Sequence, residues 1–350
     1  MKEIIRKKVL FKSIKKIFYY FLMSYFVFGC SKLQTLNLKL HEFNQTPDHV
    51  IWFQIAGLDE EHIAMLRFNL KNDKNKSSFE SAQCIGKAWS YNLYDLRPGP
   101  RKSFQSQLAS SKNIKGTCSD LKKPPFWENI EDETYQIGIF ESGANRNQSF
   151  LNYSNCKKGK FQKNFITWSM SKPYQLNKTG LFTARAYKKG GTYFDPSCKK
   201  SGVCFTSLQN NIINVWKKYK KNKGRKLFII RDYSYLNALN RGRVLEAREI
   251  LSELDKIHRL FKRKLLPKNN KLLLISSGSP KKFEFPKKGK DWAKFERTGK
   301  KIIYRSSSLL SPVLAEGNSA ENFCGMYSES EIGQRIFWSP KTKKLKLFNF

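Results

Sequence analysis

The residues able to do chemistry are few, and they fall at the ends of apolar runs. Arg231 and Asp232 follow Leu227-Phe228-Ile229-Ile230, and Ser276-Ser277-Gly278-Ser279 follows Leu272-Leu273-Leu274-Ile275. Gln54 lies in His49-Val50-Ile51-Trp52-Phe53-Gln54-Ile55-Ala56, just before Gly57, and Ser103 and Ser106 follow the turn Arg97-Pro98-Gly99-Pro100. A hydroxyl becomes a nucleophile for ester hydrolysis when a base or a metal activates it. Histidine would be the usual base or ligand, and there are four: His41, His49, His62 and His258. The first two precede the first apolar run. The other two fall within helical patterns and read as surface or boundary residues. Arg231 and Asp232 read as an ion pair, and Ser103 as a helix cap. Ser276 to Ser279 lacks the flanking glycines of a nucleophile elbow. No P-loop or dinucleotide fingerprint occurs, and no helical pattern follows Gly190-Gly191 to make it a phosphate cradle.

The elements that must position these residues are legible in the periodicity. Short apolar runs closed by polar or Gly/Pro signals suit strands buried on both faces. Between Leu227–Ile230 and Leu272–Ile275 the residues Val244, Ala247, Leu251, Leu254 and Phe261 recur on one helical face. Strand, helix, strand implies a βαβ crossover and a mostly parallel sheet with helices on both faces. Sites in such sheets form beyond the carboxyl ends of the strands. Further strands are expected at 81–91, 134–140, 165–170 and 301–305, and helices at 59–69, 206–220 and 328–336, with a turn at Ser311-Pro312. Residues 145–203 read as a loop-rich insertion into an α/β domain spanning 48–340, and 341–350 as a basic tail.

The chain carries 66 Lys and Arg against 28 Asp and Glu, a formal charge of +38. Such an excess makes a field that attracts anions. Residues 1–16 are basic, and Ile17–Phe28 is an apolar stretch too short to span a bilayer comfortably but suited to a signal peptide. It ends at Val27-Phe28-Gly29-Cys30, which resembles a bacterial lipobox. The resemblance implies cleavage after residue 29, lipidation of Cys30 and a tether over 30–47. Cleavage removes seven bases and one acid and leaves +32. Ser31, rather than Asp, favours the outer membrane by the sorting rule of such lipoproteins. An uncleaved anchor, or an ordinary signal peptide with a chance cysteine, are the alternatives. Six further cysteines suit three disulfides in an oxidising compartment. The expected pairs are Cys198 with Cys204, Cys84 with Cys118, and Cys156 with Cys324. No CxxC occurs and no histidine neighbours a cysteine, so zinc held by cysteine is not expected.

The order of elements, with His49–Leu58 as first strand, Pro100–Ser110 as a serine-bearing helix start, Tyr135–Glu141 as a following strand and Leu272–Gly278 as a last one, resembles the alkaline phosphatase superfamily and its sulfatase-like hydrolases. That resemblance implies two divalent metals held by Asp and His beside a Ser, Thr or Cys nucleophile. It makes Gln54, Ser103, Asp232 and Ser277 the vestigial catalytic positions. The first strand offers Gln54 and Ala56 where the family has Asp before Gly. The last offers Ser276-Ser277-Gly278 where it has Asp-His. No metal or other cofactor is therefore expected. The leading expectation is a non-catalytic, membrane-anchored protein that binds anionic lipids or envelope polyanions through its Lys/Arg surface. The alternative is an active hydrolase of phosphate or sulfate esters, or of an envelope polymer, with a rearranged site at Ser103 or Asp232. Charge and aromatic content permit nucleic-acid binding, but no recognition motif supports it and an export signal opposes it.

Overall fold

Val50-Ile51-Trp52-Phe53 offers no polar face to solvent, and in the computed structural model the strand that carries it is buried on both sides. The structure describes residues 46–67, 77–129, 135–145, 148–149, 165–170, 179–198, 204–265, 270–284, 286, 289–299, 303–304 and 308–337. The leader, Cys30, the tether and the tail lie outside them.

In chain order the strands are β1 (His49–Ala56), β2 (Cys84–Trp89), β3 (Tyr135–Ser142), β4 (Phe165–Ser169), β5 (Thr179–Leu181), β6 (Thr192–Phe194), β7 (Arg225–Asp232), β8 (Lys271–Gly278), β9 (Phe283–Glu284), β10 (Ile303–Tyr304), β11 (Leu310–Gly317) and β12 (Gly325–Ser328). Ten of them form one sheet in the order β12-β2-β11-β8-β1-β7-β3-β4-β6-β5, while β9 and β10 make a separate pair. Among the described strands of the large sheet, only β11 runs against the others. β1 lies at its centre between β7 and β8, parallel to both, as the βαβ reading requires.

Side chains alternate across a strand, so the sheet has two apolar faces. Ile51, Phe53, Phe228, Ile230, Leu273 and Ile275 face a layer built from the helices Leu208–Tyr219, Ser234–Asn240 and Val244–Leu265. The expected helical stripe is there: Val244, Ala247, Leu251, Leu254 and Phe261 are all buried. On the other face Val50, Trp52, Leu227, Ile229, Leu272 and Leu274 meet Leu108 of the Pro100–Ala109 helix, Phe126, Phe323 and Ile332. The result is a three-layer α/β/α sandwich.

Several expectations need correction. Ser311 and Pro312 lie inside β11, not in a turn. Pro312 opposes Lys87 on β2, whereas pairing with β8 begins only at Val313, so the missing N–H falls where one side of the strand is unpaired. Cys84 joins Cys324, not Cys118. The reason is topological: β2 lies beside β12, and Gly86 lets the Phe323 carbonyl approach to where a Cβ would stand 2.0 Å away. The expected Cys156–Cys324 pair falls with it. Cys118 is disulfide-bonded to a partner outside the described residues. Cys198–Cys204 is present as expected. Within 145–203, β4, β5 and β6 extend the edge of the sheet beyond β3, and the last two lie in sequence that reads as loop.

Candidate active site

The register across the centre of the sheet fixes what can meet at its carboxyl edge. Ser276, Gln54, Arg231 and Glu141 occupy one row across β8, β1, β7 and β3 and therefore share a face. The next row, Ser277, Ile55, Asp232 and Ser142, points to the opposite face. Arg231 and Asp232 are thus turned away from each other, and the ion pair expected between them does not form. Of the four vestigial positions, Gln54 belongs to one layer, and Asp232 and Ser277 to the other.

The first row is cross-braced. Arg231 Nε donates to Gln54 Oε1 at 2.8 Å, and its Nη1 lies 3.4 Å from Glu141 Oε1. Ser149 Oγ donates to Glu141 Oε2 at 2.7 Å. Gln54 Nε2 and Ser276 Oγ both donate to Gln107 Oε1, at 3.1 and 2.9 Å, and Gln107 Nε2 donates to the Ser277 carbonyl at 2.9 Å. Trp52 Nε1 donates to Ser276 Oγ at 2.8 Å. Arg231 and Glu141 are 2% and 1% exposed. Charges buried this deeply hold only when paired and hydrogen-bonded, and this network supplies both conditions.

Asp232 is likewise committed. Its Oδ1 accepts from Ser142 Oγ at 2.6 Å and Ser234 Oγ at 2.5 Å, and its Oδ2 from the Tyr235 N–H at 2.9 Å. Burial pushes its pKa up, against the pull of those donors. It closes the first turn of the Ser234–Asn240 helix, which periodicity did not reveal.

Ser103 is not the helix cap. The Pro100–Ala109 helix starts after Gly99, with proline in its first turn, so Ser103 lies inside it. Its Oγ donates to Glu329 Oε2 at 2.5 Å, and both residues are fully buried. Burial raises the Glu329 pKa to about 8, although hydrogen bonds from Ser103 and Gln107 oppose the shift. The carboxyl is therefore protonated at neutral pH. Ser106 donates to the Ser111 carbonyl at 2.9 Å.

Just past the ends of β1, β7 and β8 sits an apolar plug of Ala56, Phe104, Tyr233 and Leu236, each 2% exposed or less. Phe104 and Tyr233 meet edge to face at 5.7 Å, and the Arg231 guanidinium lies 5.1 Å from the Phe104 ring centroid. Gly278 is required here: a Cβ on it would stand 2.6 Å from Phe104 Cε1. A dinuclear metal site does not fit this edge. Divalent cations need several carboxylates and imidazoles, and the carboxyl groups here are committed elsewhere: Glu141 to Arg231 and Ser149, Asp232 to Ser142, Ser234 and the Tyr235 N–H, and Glu329 to Ser103. Among the described residues, the grouping with three metal-capable side chains is Asp195, Cys198 and Cys204. The two sulfurs are bonded to each other, and Asp195 accepts from Ser197 and Asn211.

His62 and His258 do not contribute either, but for a reason different from the one expected. His62 and His258 are core residues, not boundary ones, at 0% and 2% exposure. His62 stacks on Phe283 with centroids 4.0 Å apart and meets the Tyr235 hydroxyl at 2.8 Å. His258 lies edge-on to Phe53 and Phe79, with Ser78 Oγ 2.9 Å from Nδ1. Burial lowers their pKa values to about 3 and about 4, so both are neutral rings that pack.

Gln107, Glu141 and Glu329 complete the arrangement and are absent from the sequence reading. Glu329 lies in Ser328-Glu329-Ser330-Glu331, which reads only as an acidic helix start. Glu331 does fill that role, accepting from the Ser328 N–H at 3.1 Å. Nothing in the sequence marks its neighbour two positions earlier as the one turned inward.

This mostly parallel ten-stranded sheet with its helices has an alkaline phosphatase-like fold. The alkaline phosphatase of the Antarctic bacterium TAB5 superposes with a TM-score of 0.63 at 13% identity, over 83% of this chain and 97% of that one. The cold-active enzyme of Shewanella sp. gives 0.64 at 8%, over 82% and 98%. That of Thermus thermophilus gives 0.59 at 9%, over 84% and 91%. At these identities the likeness is one of fold. No protein-family model matches the sequence, and no curated protein matches it.

Proposed function

We propose that this protein is a non-catalytic member of the alkaline phosphatase-like fold, lipid-anchored through Cys30 in the cell envelope, that binds anionic envelope components through its basic surface. The observation that carries the reading is the plug. Phe104, Tyr233, Leu236 and Ala56 take the space beyond the central strands, and Gln54, Gln107, Arg231, Glu141 and Asp232 around them are hydrogen-bonded to neighbouring residues. A substrate there would have to displace buried hydrocarbon and open a paired Arg231–Glu141. The formal charge of +32 left after cleavage supplies the attraction to anionic headgroups, which falls off within a Debye length of the surface. The test uses the purified full-length chain. Aryl phosphate and aryl sulfate should not be turned over, with or without zinc and magnesium, and anionic vesicles should bind with a steep salt dependence. Chelator-sensitive turnover, or equal binding to neutral vesicles, would overturn the reading.

One observation favours a second reading, an active hydrolase. A serine hydroxyl and a carboxyl do converge, at Ser103 and Glu329. A carboxyl with a pKa near 8 holds its proton at neutral pH, however, and cannot take one from Ser103. This reading therefore requires turnover that appears above pH 8 and is lost in Ser103→Ala.

A further inference from the structure

Large apolar side chains collect in the open at one corner of the sheet. β2 alternates, so Ile85 and Trp89 point outward while Cys84 and Ala88 point in. Met326 on the edge strand β12 pairs with Lys87, between those two, and so shares their face. Past the carboxyl end of β2 the chain adds Leu93, Tyr94 and Leu96. These six are between 38% and 66% exposed. Single exposed apolar residues are ordinary. Among the described residues, however, six of the eight large ones that are exposed fall at this corner, and such a patch marks a contact surface.

The corner is also basic. Residues 85–116 hold six Lys and Arg against one acid, Asp95, which is paired with Lys102. Lys87 is paired with Glu60 at 2.7 Å. The segment after the Pro100–Ala109 helix lies against the apolar loop: the Leu93 N–H donates to the Lys112 carbonyl at 3.0 Å, and the Tyr94 hydroxyl to Asn113 Oδ1 at 2.8 Å. Lys112 Nζ is thereby held 4.7 Å from the Tyr91 ring centroid, and Lys115 Nζ 5.3 Å from that of Tyr94. Arg97 is exposed at the end of the same loop. Lysines just past a helix suit its dipole, so the charge by itself carries nothing. The apolar side chains set beside it do.

The combination selects among occupants. In a twofold dimer the patch would meet itself. Its bases would then face bases, and like charges set against each other disfavour an interface. An anionic lipid surface has no such conflict. Trp and Tyr prefer the boundary between headgroups and acyl chains. Aliphatic tips enter the acyl region, and flanking cations meet the headgroups.

We propose that this corner docks on an anionic lipid surface. Trp89, Leu93 and Leu96, with Ile85 and Met326 beside them, enter the boundary of the acyl chains, and Arg97, Lys112 and Lys115 stay at headgroup level. The proposal rests on the anionic-partner half of the function proposed above, and it names the surface and the occupant.

Trp89 supplies the readout, since among the described tryptophans it alone is exposed. The purified full-length chain is placed on vesicles of phosphatidylglycerol and phosphatidylcholine, with bromine near the top of the phosphatidylcholine acyl chains. Bromine quenches a tryptophan only on contact, which attachment through Cys30 does not supply. The Trp89 emission is taken as wild type less Trp89→Phe, each referred to unbrominated vesicles. It should fall by at least about half, as for a side chain seated in the boundary. Leu93→Asp with Leu96→Asp should abolish the quenching, because two carboxylates would have to enter an apolar, anionic region. Leu181→Asp with Phe205→Asp, at exposed apolar residues elsewhere, should leave it unchanged. All four side chains are exposed, so folding is spared. An unquenched Trp89, quenching that survives in the first pair, or equal loss in both pairs overturns the proposal. So does a dimer in sedimentation of the detergent-solubilised chain that the first pair disperses, which would assign the corner to a second copy. The chain's distribution in a mixture of anionic and neutral vesicles separates the two readings. If Trp89 is unquenched but anionic vesicles are preferred, this surface alone is wrong. If that preference is absent too, the anionic-partner reading falls with it.

Discussion

Ser103 and Glu329, 226 positions apart in the chain, share a hydrogen bond from which solvent is wholly excluded. In an exposed cleft the same pair would read as nucleophile and base. Here its protonation state makes it a structural contact, and that has a measurable consequence.

Glu329 has a folded-state pKa of about 8 against an ordinary value of 4.5. A raised acid contributes stability that is fully present below its unfolded pKa and is lost as pH rises through the folded one. Stability should therefore decline between about pH 4.5 and 8 by at most ~5 kcal/mol from this group. Glu329→Gln keeps the neutral shape and removes the ionisation. Its melting temperature should fall less steeply than that of wild type from pH 4.5 to 8, and be higher than wild type at pH 8. Thermal denaturation across the pH series checks this.

Phe104→Ala should empty the plug. Removing a fully buried Phe costs ~3–5 kcal/mol, read as a lower denaturation midpoint. It should open space without creating activity, because Glu141 and Asp232 at this edge stay bonded to Arg231 and to Ser142 and Ser234. Assays with aryl phosphate, with zinc and magnesium added, complete the measurement.

Arg231 and Glu141 distinguish a paired charge from a needed one. Glu141→Ala leaves the guanidinium uncompensated and should cost ~3–5 kcal/mol. Arg231→Met combined with Glu141→Leu should recover most of that loss, since an apolar pair of similar size avoids the desolvation penalty. Urea denaturation of the single and double variants decides.

Non-reducing peptide mapping should return Cys84 linked to Cys324 and Cys198 linked to Cys204. Cys84 linked to Cys118 would contradict the β2–β12 arrangement.

The central βαβ unit was legible because its signals are local and redundant. The apolar runs of β1, β7 and β8 have no polar face, and the stripe from Val244 to Phe261 repeats over about five turns. What was not legible depends on neighbours distant in sequence. Pro312 reads as a turn unless one knows that β8 begins pairing at the next residue. The partner of Cys84 is set by which strand lies beside β2, not by spacing. The alternation of a strand does put Arg231 and Asp232 on opposite faces, and this could have been read from β7 alone. His62 and His258 read as surface or boundary residues, whereas a neutral imidazole beside Phe283 or Phe53 behaves as a small aromatic. At the carboxyl edge, Ala56 and Ser277 stand where the family resemblance implies Asp and Asp-His. That Phe104 and Leu236 fill the space is a tertiary fact with no signature in the chain.

The measurement closest to the central claim is elemental analysis of the purified full-length chain after equilibration with zinc and removal of the excess. The account predicts no stoichiometric zinc in wild type, because the carboxyl edge holds hydrocarbon and paired polar groups. Two zinc ions per chain, lost on Phe104→Asp or Leu236→Asp, would contradict it.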